Sequence, residues 1–230
     1  MPLLGNRKSF FQVVEVEMIV GVCAQAGSGK DTTADFFVED YGYFKVALAD
    51  PIKRFCAQMY GFSYDQLWGP SELRNKVDER YGFTPREILQ QLGTEFGRHY
   101  WEDVWISYAL RVAQALLNPP PVPSGAFFYT PDHGLIWEEG NTLRAEGVVI
   151  PDVRFRNEAE RINAAGGVVL KVIRPGSGLK GEAGQHASET SLQTIPYSLI
   201  AREIINDSSV SDLRFAVADF YSEVIAKNIQ

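Results

Sequence analysis

The residues Met18–Ala24 (MIVGVCA) form an unbroken apolar, largely β-branched run that ends at Gln25-Ala26-Gly27-Ser28-Gly29-Lys30-Asp31-Thr32. A continuous apolar run of this length reads as a strand buried on both faces. A glycine-rich turn directly after it, leading into a helical pattern over residues 31–41, makes a strand–loop–helix unit, the building block of a parallel sheet. In that helix Ala34, Phe37 and Val38 are expected to point inward.

The alternation continues along the chain. Residues 43–48 read as a second strand, followed by a helix from Pro51 with Asp50 as its N-cap. Thr84-Pro85-Arg86-Glu87 has the form of a capping box with proline at the first helical position, and its helix is expected to run toward Tyr100, with another reaching about Leu117. The prolines of residues 118–124 exclude both helix and central strand there. Residues 126–137 suggest a hairpin, so residues 118–147 are expected to be a surface insertion. Strands are then expected at 147–151, 168–173 and 199–205, with helices at 154–165 and 210–227 and a glycine-rich stretch at 175–184. The expected fold class is α/β: one three-layer domain with a mainly parallel sheet between helices, preceded by an extension of residues 1–17.

The charge balance is acidic, 22 Lys+Arg against 29 Asp+Glu for a net −7, which argues against a surface for nucleic acid polymers. A phosphate compound would have to be met by a local cluster of cations. The two cysteines and three histidines have no zinc-site spacing, and no apolar run is long enough to span a bilayer. Glu15 and Glu17 break the N-terminal apolar stretch, so no secretory signal is expected and the reading is cytoplasmic, without a membrane partner.

The loop itself carries chemistry. Glycines let successive N–H groups of Ala26, Gly27, Ser28 and Gly29 turn into one concavity, the helix N-terminus adds positive potential, and Lys30 reaches the β- and γ-phosphates of a nucleotide. Two residues depart from G-x-x-x-x-G-K-[ST]: Ala24 replaces the first glycine, and Asp31 stands where a hydroxyl would meet Mg²⁺. Thr32 does not take over that place, because one residue along a helix turns a side chain by about 100°. Asp31 is therefore expected at the metal, directly or through water.

Ser28-Gly29-Lys30-Asp31-Thr32-Thr33-Ala34-Asp35-Phe36, with the later blocks Ala49-Asp50-Pro51-Ile52-Lys53, Leu92-Gly93-Thr94-Glu95, Pro151-Asp152-Val153-Arg154 and Val172-Ile173-Arg174-Pro175, resembles the deoxynucleoside monophosphate kinases of tailed bacteriophages. The blocks occur in order over most of the chain. The resemblance implies a P-loop kinase fold that moves the γ-phosphoryl group of ATP to a deoxynucleoside 5′-monophosphate (dNMP) with Mg²⁺, and it makes a homodimer an expectation. It also implies that Lys53 touches the acceptor phosphate and that Arg86, Gln90 and Thr94 line the monophosphate site.

The residues support parts of this on their own. Arg86, Gln90, Gly93 and Thr94 share one helix face, opposite an apolar face of Leu89, Leu92 and Phe96. Lys53 sits in the first turn of its helix, where its charge and the helix N-terminus address the same anion, although a solvated first-turn lysine has the same pattern. Trp105 is a candidate for stacking on a base, against the commoner role of a core tryptophan. Asp152 ends a strand in the Walker B arrangement, to orient Mg²⁺ or the acceptor, with Arg154, Arg156 and Glu158 following; Arg154 and Glu158 are spaced as an i, i+4 pair. Lys30, Asp152 and Arg154 are the expected catalytic set. Arg174 opens a glycine-rich segment, residues 174–190, suited to a lid over ATP. A kinase for another small acceptor, of the phosphomevalonate or dephospho-coenzyme A type, fits the same loop. So does a nucleotide-binding switch or ATPase module.

Overall fold

A computed structural model describes residues 18–118, 127–130, 134–137, 145–178 and 190–225. In chain order the strands are β1 (Met18–Ala24), β2 (Tyr43–Lys45), β3 (Phe127–Thr130), β4 (Gly134–Trp137), β5 (Gly147–Val153), β6 (Val168–Ile173) and β7 (Arg202–Ile205). The helices are α1 (Lys30–Tyr41), α2 (Asp50–Tyr60), α3 (Tyr64–Leu67), α4 (Ser71–Arg74), α5 (Pro85–Gln90), α6 (Val104–Leu117), α7 (Arg156–Ala164) and α8 (Val210–Phe220).

Five strands pair in parallel in the order β2-β5-β1-β6-β7, and β3 pairs antiparallel with β4 in a separate ribbon. The two faces of β1 explain the layering. Met18, Val20, Val22 and Ala24 enter one core with Phe36 and Phe37 of α1 and Leu213, Val217 and Phe220 of α8. Ile19 and Cys23 enter the other, with Ile106, Val112 and Leu116 of α6 and Ala159 and Ile162 of α7. A strand's period of two thus feeds two helical layers, giving the expected three-layer α/β fold. Fully buried side chains such as Phe37, Ile150 and Leu170 each contribute on the order of 2 kcal/mol.

This topology places the site. From β1 the chain passes to β2 on one side, and the β5–α7–β6 crossover later carries it across β1 to the other. The strand order therefore reverses at β1, and the crevice beyond the carboxyl ends of β1 and β5 is where an open α/β sheet takes its ligand.

Local differences from the sequence pattern have physical causes. Val38 is outside and Phe36 inside, because α8 covers α1 on the Phe36–Phe37 side. Ala49 is the N-cap of α2; Asp50 lies within the first turn, where its carboxylate accepts the Trp68 indole N–H at 3.0 Å. The capping box at Thr84 forms, with Glu87 completing it, but only residues 85–90 are α-helical: Gln91–Arg98 continue as a π-helix. β5 runs on through Asp152 to Val153, and residues 221–225 extend α8 as a π-helical turn. The expectations for residues 1–17, for most of 118–147, and for residues 179–189 of the lid-like segment lie outside the described residues.

Candidate active site

The phosphate loop leaves β1 at Gln25 and turns through Gly27 and Gly29, both at positive φ, into α1. Gly29 has φ +96°, and a Cβ there would lie 2.5 Å from Asn206 Nδ2. The Asn206 amide uses that space to donate to the Ser28 carbonyl at 2.9 Å. Ser28 is buried, its hydroxyl 2.9 Å from that of Ser177, and the Gly178 N–H donates to the Ala26 carbonyl at 2.9 Å. Residues 174–178 thus strap the loop from the end of β6, while the Arg174 side chain stands exposed. Thr32 lies partly buried in the first turn of α1. The Lys30 ammonium is held by the Asp31 carboxylate at 2.7 Å, and Asp31 itself is 69% exposed.

Beside Lys30 opens a cleft of about 200 Å³, lined on one side by Leu48, Ala49, Ile52 and Lys53, on another by Arg86, Leu89, Gln90, Gly93 and Thr94, and at its base by Asp152, Arg154 and Glu158. Arg74, Arg98, Trp105 and Phe155 complete it. Residues separated by more than 120 positions in the chain meet here because β1 and β5 end, and α2 begins, at this edge.

The row Arg86, Gln90, Thr94, Arg98 advances by four throughout. In an α-helix each such step overshoots a full turn by about 40°. A helix closed by i→i+5 bonds winds less per residue, so the π-helical steps turn the row back. Both Thr94 and Arg98 consequently face the cleft, and Phe96, expected on the apolar face, is turned out to 71% exposure. Trp105 is fixed edge-in: its indole N–H donates to the Gly93 carbonyl at 2.7 Å, and a Cβ on Gly97 would lie 2.5 Å from its ring. It lines the cleft as a wall clamped to the π-helix.

The two carboxylates at the base are tied to backbone. Asp152 accepts from the Leu48 N–H at 2.9 Å and the Ala49 N–H at 3.3 Å, which anchors the turn entering α2. Burial pushes its pKa up, opposed by the Leu48 N–H and by Lys30 and Arg154. Glu158 is 3% exposed and accepts the N–H groups of Arg154 at 2.7 Å and Phe155 at 3.0 Å, closing the N-terminus of α7. Burial is the leading cause that pushes its pKa up to about 7, with those two N–H groups and Arg98 pulling it down. The contact between Arg154 and Glu158 runs through the Arg154 main-chain N–H, which lies before α7, and is a cap contact where the i, i+4 spacing suggested a helical side-chain pair; Glu158 also accepts from the Arg98 guanidinium at 3.2 Å. Arg156 does not come to the cleft: it opens α7 on the outer side and pairs with Glu160 at 2.7 Å. Lys53 lies with its ammonium 5.6 Å from the Trp68 ring centroid, and burial draws its pKa down.

Sequence reasoning missed Arg74, Arg98 and Asn206. Arg98 had a signal, the continued i+4 row; Arg74 and Asn206 had none, since one lies in an irregular segment and the other follows an edge strand.

Mg²⁺ takes oxygen donors and keeps several waters, sharing its coordination with substrate phosphates. Among the described residues no three His, Cys, Asp or Glu side chains converge as a metal cage. An exposed Asp31 carboxylate at the start of α1, with Asp152 deeper in the cleft, matches a metal held mainly by phosphates and water.

No protein-family model matches the chain. In sequence it is 29% identical over 213 residues, 91% of this chain and 95% of the relative, to an Acanthamoeba polyphaga mimivirus protein named "Putative deoxynucleotide monophosphate kinase". Among solved structures it is similar to dephospho-CoA kinase from Campylobacter jejuni, at 14% identity over 91% of this chain and 98% of that one, with a TM-score of 0.45. Shikimate kinase from Aquifex aeolicus is similar over 89% of this chain and 96% of that one, at 8% identity and a TM-score of 0.41. The phosphate loop and the viral relative together identify the chain as an ATP-dependent phosphotransferase, a kinase.

Proposed function

We propose that this kinase is a deoxynucleoside monophosphate kinase, which transfers the γ-phosphoryl group of ATP to a dNMP and releases ADP and the dNDP. The observation that carries the reading is the cleft at Lys30, where Lys53 and Arg154 line the space together with a helix side of Arg86, Gln90, Gly93 and Thr94. Cations around one cleft suit an acceptor's phosphate, and a polar helix face with a glycine suits its sugar and base. The mimivirus relative supports the same substrate class.

A phosphate acceptor has a second pKa of about 6 and is largely ionised at neutral pH, so it needs positioning and charge neutralisation more than a base. Its oxygen attacks Pγ, the bond from Pγ to the bridging oxygen of ADP breaks, and ADP leaves with that electron pair. Lys30 would hold the β- and γ-phosphates, Lys53 and Arg86 the acceptor phosphate, and Arg154, on a backbone fixed by Glu158, the charge between them. Mg²⁺, when bound, neutralises phosphate charge, with Asp31 and Asp152 as its protein donors. Asp152 also sets the turn that presents Lys53, through Leu48 and Ala49. Trp105 would bound the base pocket edgewise.

The test is ADP release from ATP and Mg²⁺ with each of the four dNMPs and the matching ribonucleotides. Strong stimulation by one or more dNMPs, with the dNDP formed, is the expected result. ATP bound with no dNMP stimulation would refute the assignment.

A further inference from the structure

Among the described residues, Arg74 is a cation of the cleft whose hydrogen bonds go to backbone carbonyls and not to a carboxylate. It ends α4, in a stretch where the chain is otherwise loops and single helical turns. Its Nη2 donates to the Leu67 carbonyl at 2.9 Å and the Gly69 carbonyl at 3.1 Å, so one corner of the guanidinium is pinned to the turn after α3. That turn is itself tightly built: a Cβ on Gly69 would lie 2.5 Å from the Asp65 carbonyl oxygen, and the neighbouring Trp68 is held on Asp50 of α2. The Arg74 Nε, in contrast, is buried with no hydrogen-bond partner. Among the described residues no carboxylate forms an ion pair with this side chain.

A buried donor without an acceptor is costly, and a desolvated guanidinium without an anion is more so. The other described features of the cleft do not relieve it. Arg98 is bound to Glu158, Lys53 lies over Trp68, and Lys30 is held by Asp31. Burial draws the pKa of Arg74 down, and Asp31, at the first turn after the phosphate loop, is the carboxylate whose charge opposes this. Lys53, on the acceptor side, feels Arg74 as a repelling neighbour. Arg74 lines the same cleft as Lys30 of the loop that holds the donor and Lys53, the lysine assigned to the acceptor.

We infer that Arg74 contacts the phosphoryl group in transfer, its guanidinium bridging from the Leu67 and Gly69 carbonyls to the γ-phosphate oxygens. The inference rests on the kinase reading of the cleft and adds to it a catalytic cation supplied in cis by the segment between α2 and α5. Nothing is protonated or deprotonated by Arg74. It neutralises charge on the equatorial oxygens while the acceptor oxygen bonds to Pγ and the bond to ADP breaks. An anion there also satisfies the Nε donor, so the arginine should distinguish ATP from ADP in simple binding.

The test compares wild type with Arg74→Gln and Arg74→Lys, reading kcat for ADP release and, by calorimetry without acceptor, the affinities for ATP and for ADP. The expected result is a fall in kcat of about a hundredfold or more in Arg74→Gln. With it the preference for ATP over ADP drops about tenfold while ADP affinity is held. Arg74→Lys keeps the charge but not the fork, and is expected to lose the same preference in smaller measure. It carries the test if Arg74→Gln does not fold. Equal changes in ATP and ADP affinity, or a kcat within threefold of wild type, would overturn the inference. The binding readout needs no acceptor, so it remains decisive even if no dNMP supports turnover, which keeps failure of the substrate assignment separate from failure of this one.

Discussion

Replacing Arg98 by Met removes the one side-chain cation that reaches Glu158 from the π-helix, and the cost can be worked from the surroundings. Arg98 is 12% exposed and donates to Glu158 at 3.2 Å, to the Glu102 carbonyl at 2.8 Å and to Asn157 Oδ1 at 2.8 Å, with its guanidinium 3.6 Å from the centre of the Phe155 ring. Breaking a buried ion pair costs about 3–5 kcal/mol when the partner is left charged. Here Glu158 keeps its two backbone donors, and burial already holds its pKa at about 7, so it can take up a proton at little cost near neutrality. The loss at pH 7 is then that of the hydrogen bonds, about 2–3 kcal/mol. The sign of the pH dependence follows from the raised pKa. Between the unfolded value of 4.5 and about 7 the folded protein binds a proton that the unfolded chain releases, so stability falls as pH rises through that window. Without Arg98 the folded pKa rises further and the window extends upward. The deficit of Arg98→Met should grow above pH 7 by up to about 1.4 kcal/mol per pH unit until the new pKa is passed. Urea denaturation of both proteins at about pH 6 and about pH 8, with Glu158→Gln added as the background in which the pH dependence disappears, measures this. A deficit that is the same at both pH values, or below about 1 kcal/mol at the higher one, would refute the reasoning.

Two other perturbations probe the two sides of the cleft. Lys53→Ala should raise the dNMP concentration needed for half-maximal ADP release by about tenfold or more while leaving ATP affinity unchanged, since Lys53 approaches from α2; a fall in ATP affinity would mean that the two substrates are placed the wrong way round. Gly29→Ala forces φ +96° on an L side chain and sets a Cβ 2.5 Å from the Asn206 amide. It should cost about 1–3 kcal/mol in denaturation and weaken ATP binding in calorimetry, and wild-type values in both would show that the strap through Asn206 has slack.

The sequence made the strands and the phosphate loop legible because each signal was local. Met18–Ala24 and Val168–Ile173 coincide with β1 and β6, since an apolar run between polar turns leaves little choice of boundary. The cleft row at Arg86, Gln90 and Thr94 was also legible, though its cause was not: a periodicity argument assumes α-helical winding, and the π-helix from Gln91 to Arg98 is what keeps the row aligned. Phe96 went the other way for the same reason. Asp50 looked like a cap because carboxylates suit that place, but the Trp68 indole N–H, eighteen residues on, claims it. Arg74 and Asn206 act through contacts with no periodic signature, and no spacing rule finds a residue whose importance lies in a hydrogen bond it lacks.

The charge distribution turns these local findings into a statement about what the cleft can admit. The chain as a whole carries a net −7, yet the residues lining the cleft include six cations, Lys30, Lys53, Arg74, Arg86, Arg98 and Arg154, against two carboxylates, Asp152 and Glu158. Both carboxylates accept backbone N–H groups, and their burial favours the protonated form. They therefore shape the cleft more than they neutralise it. The field of these cations is felt by an anion within about a Debye length of the site, some 8 Å at physiological ionic strength, in a chain whose net charge is negative. A small anion can bring all of its charge inside that radius, whereas a nucleic acid strand carries flanking phosphates beyond it. The same geometry that concentrates guanidinium groups in the cleft at the carboxyl ends of β1 and β5 thus suits an acceptor whose charge is confined to one small molecule.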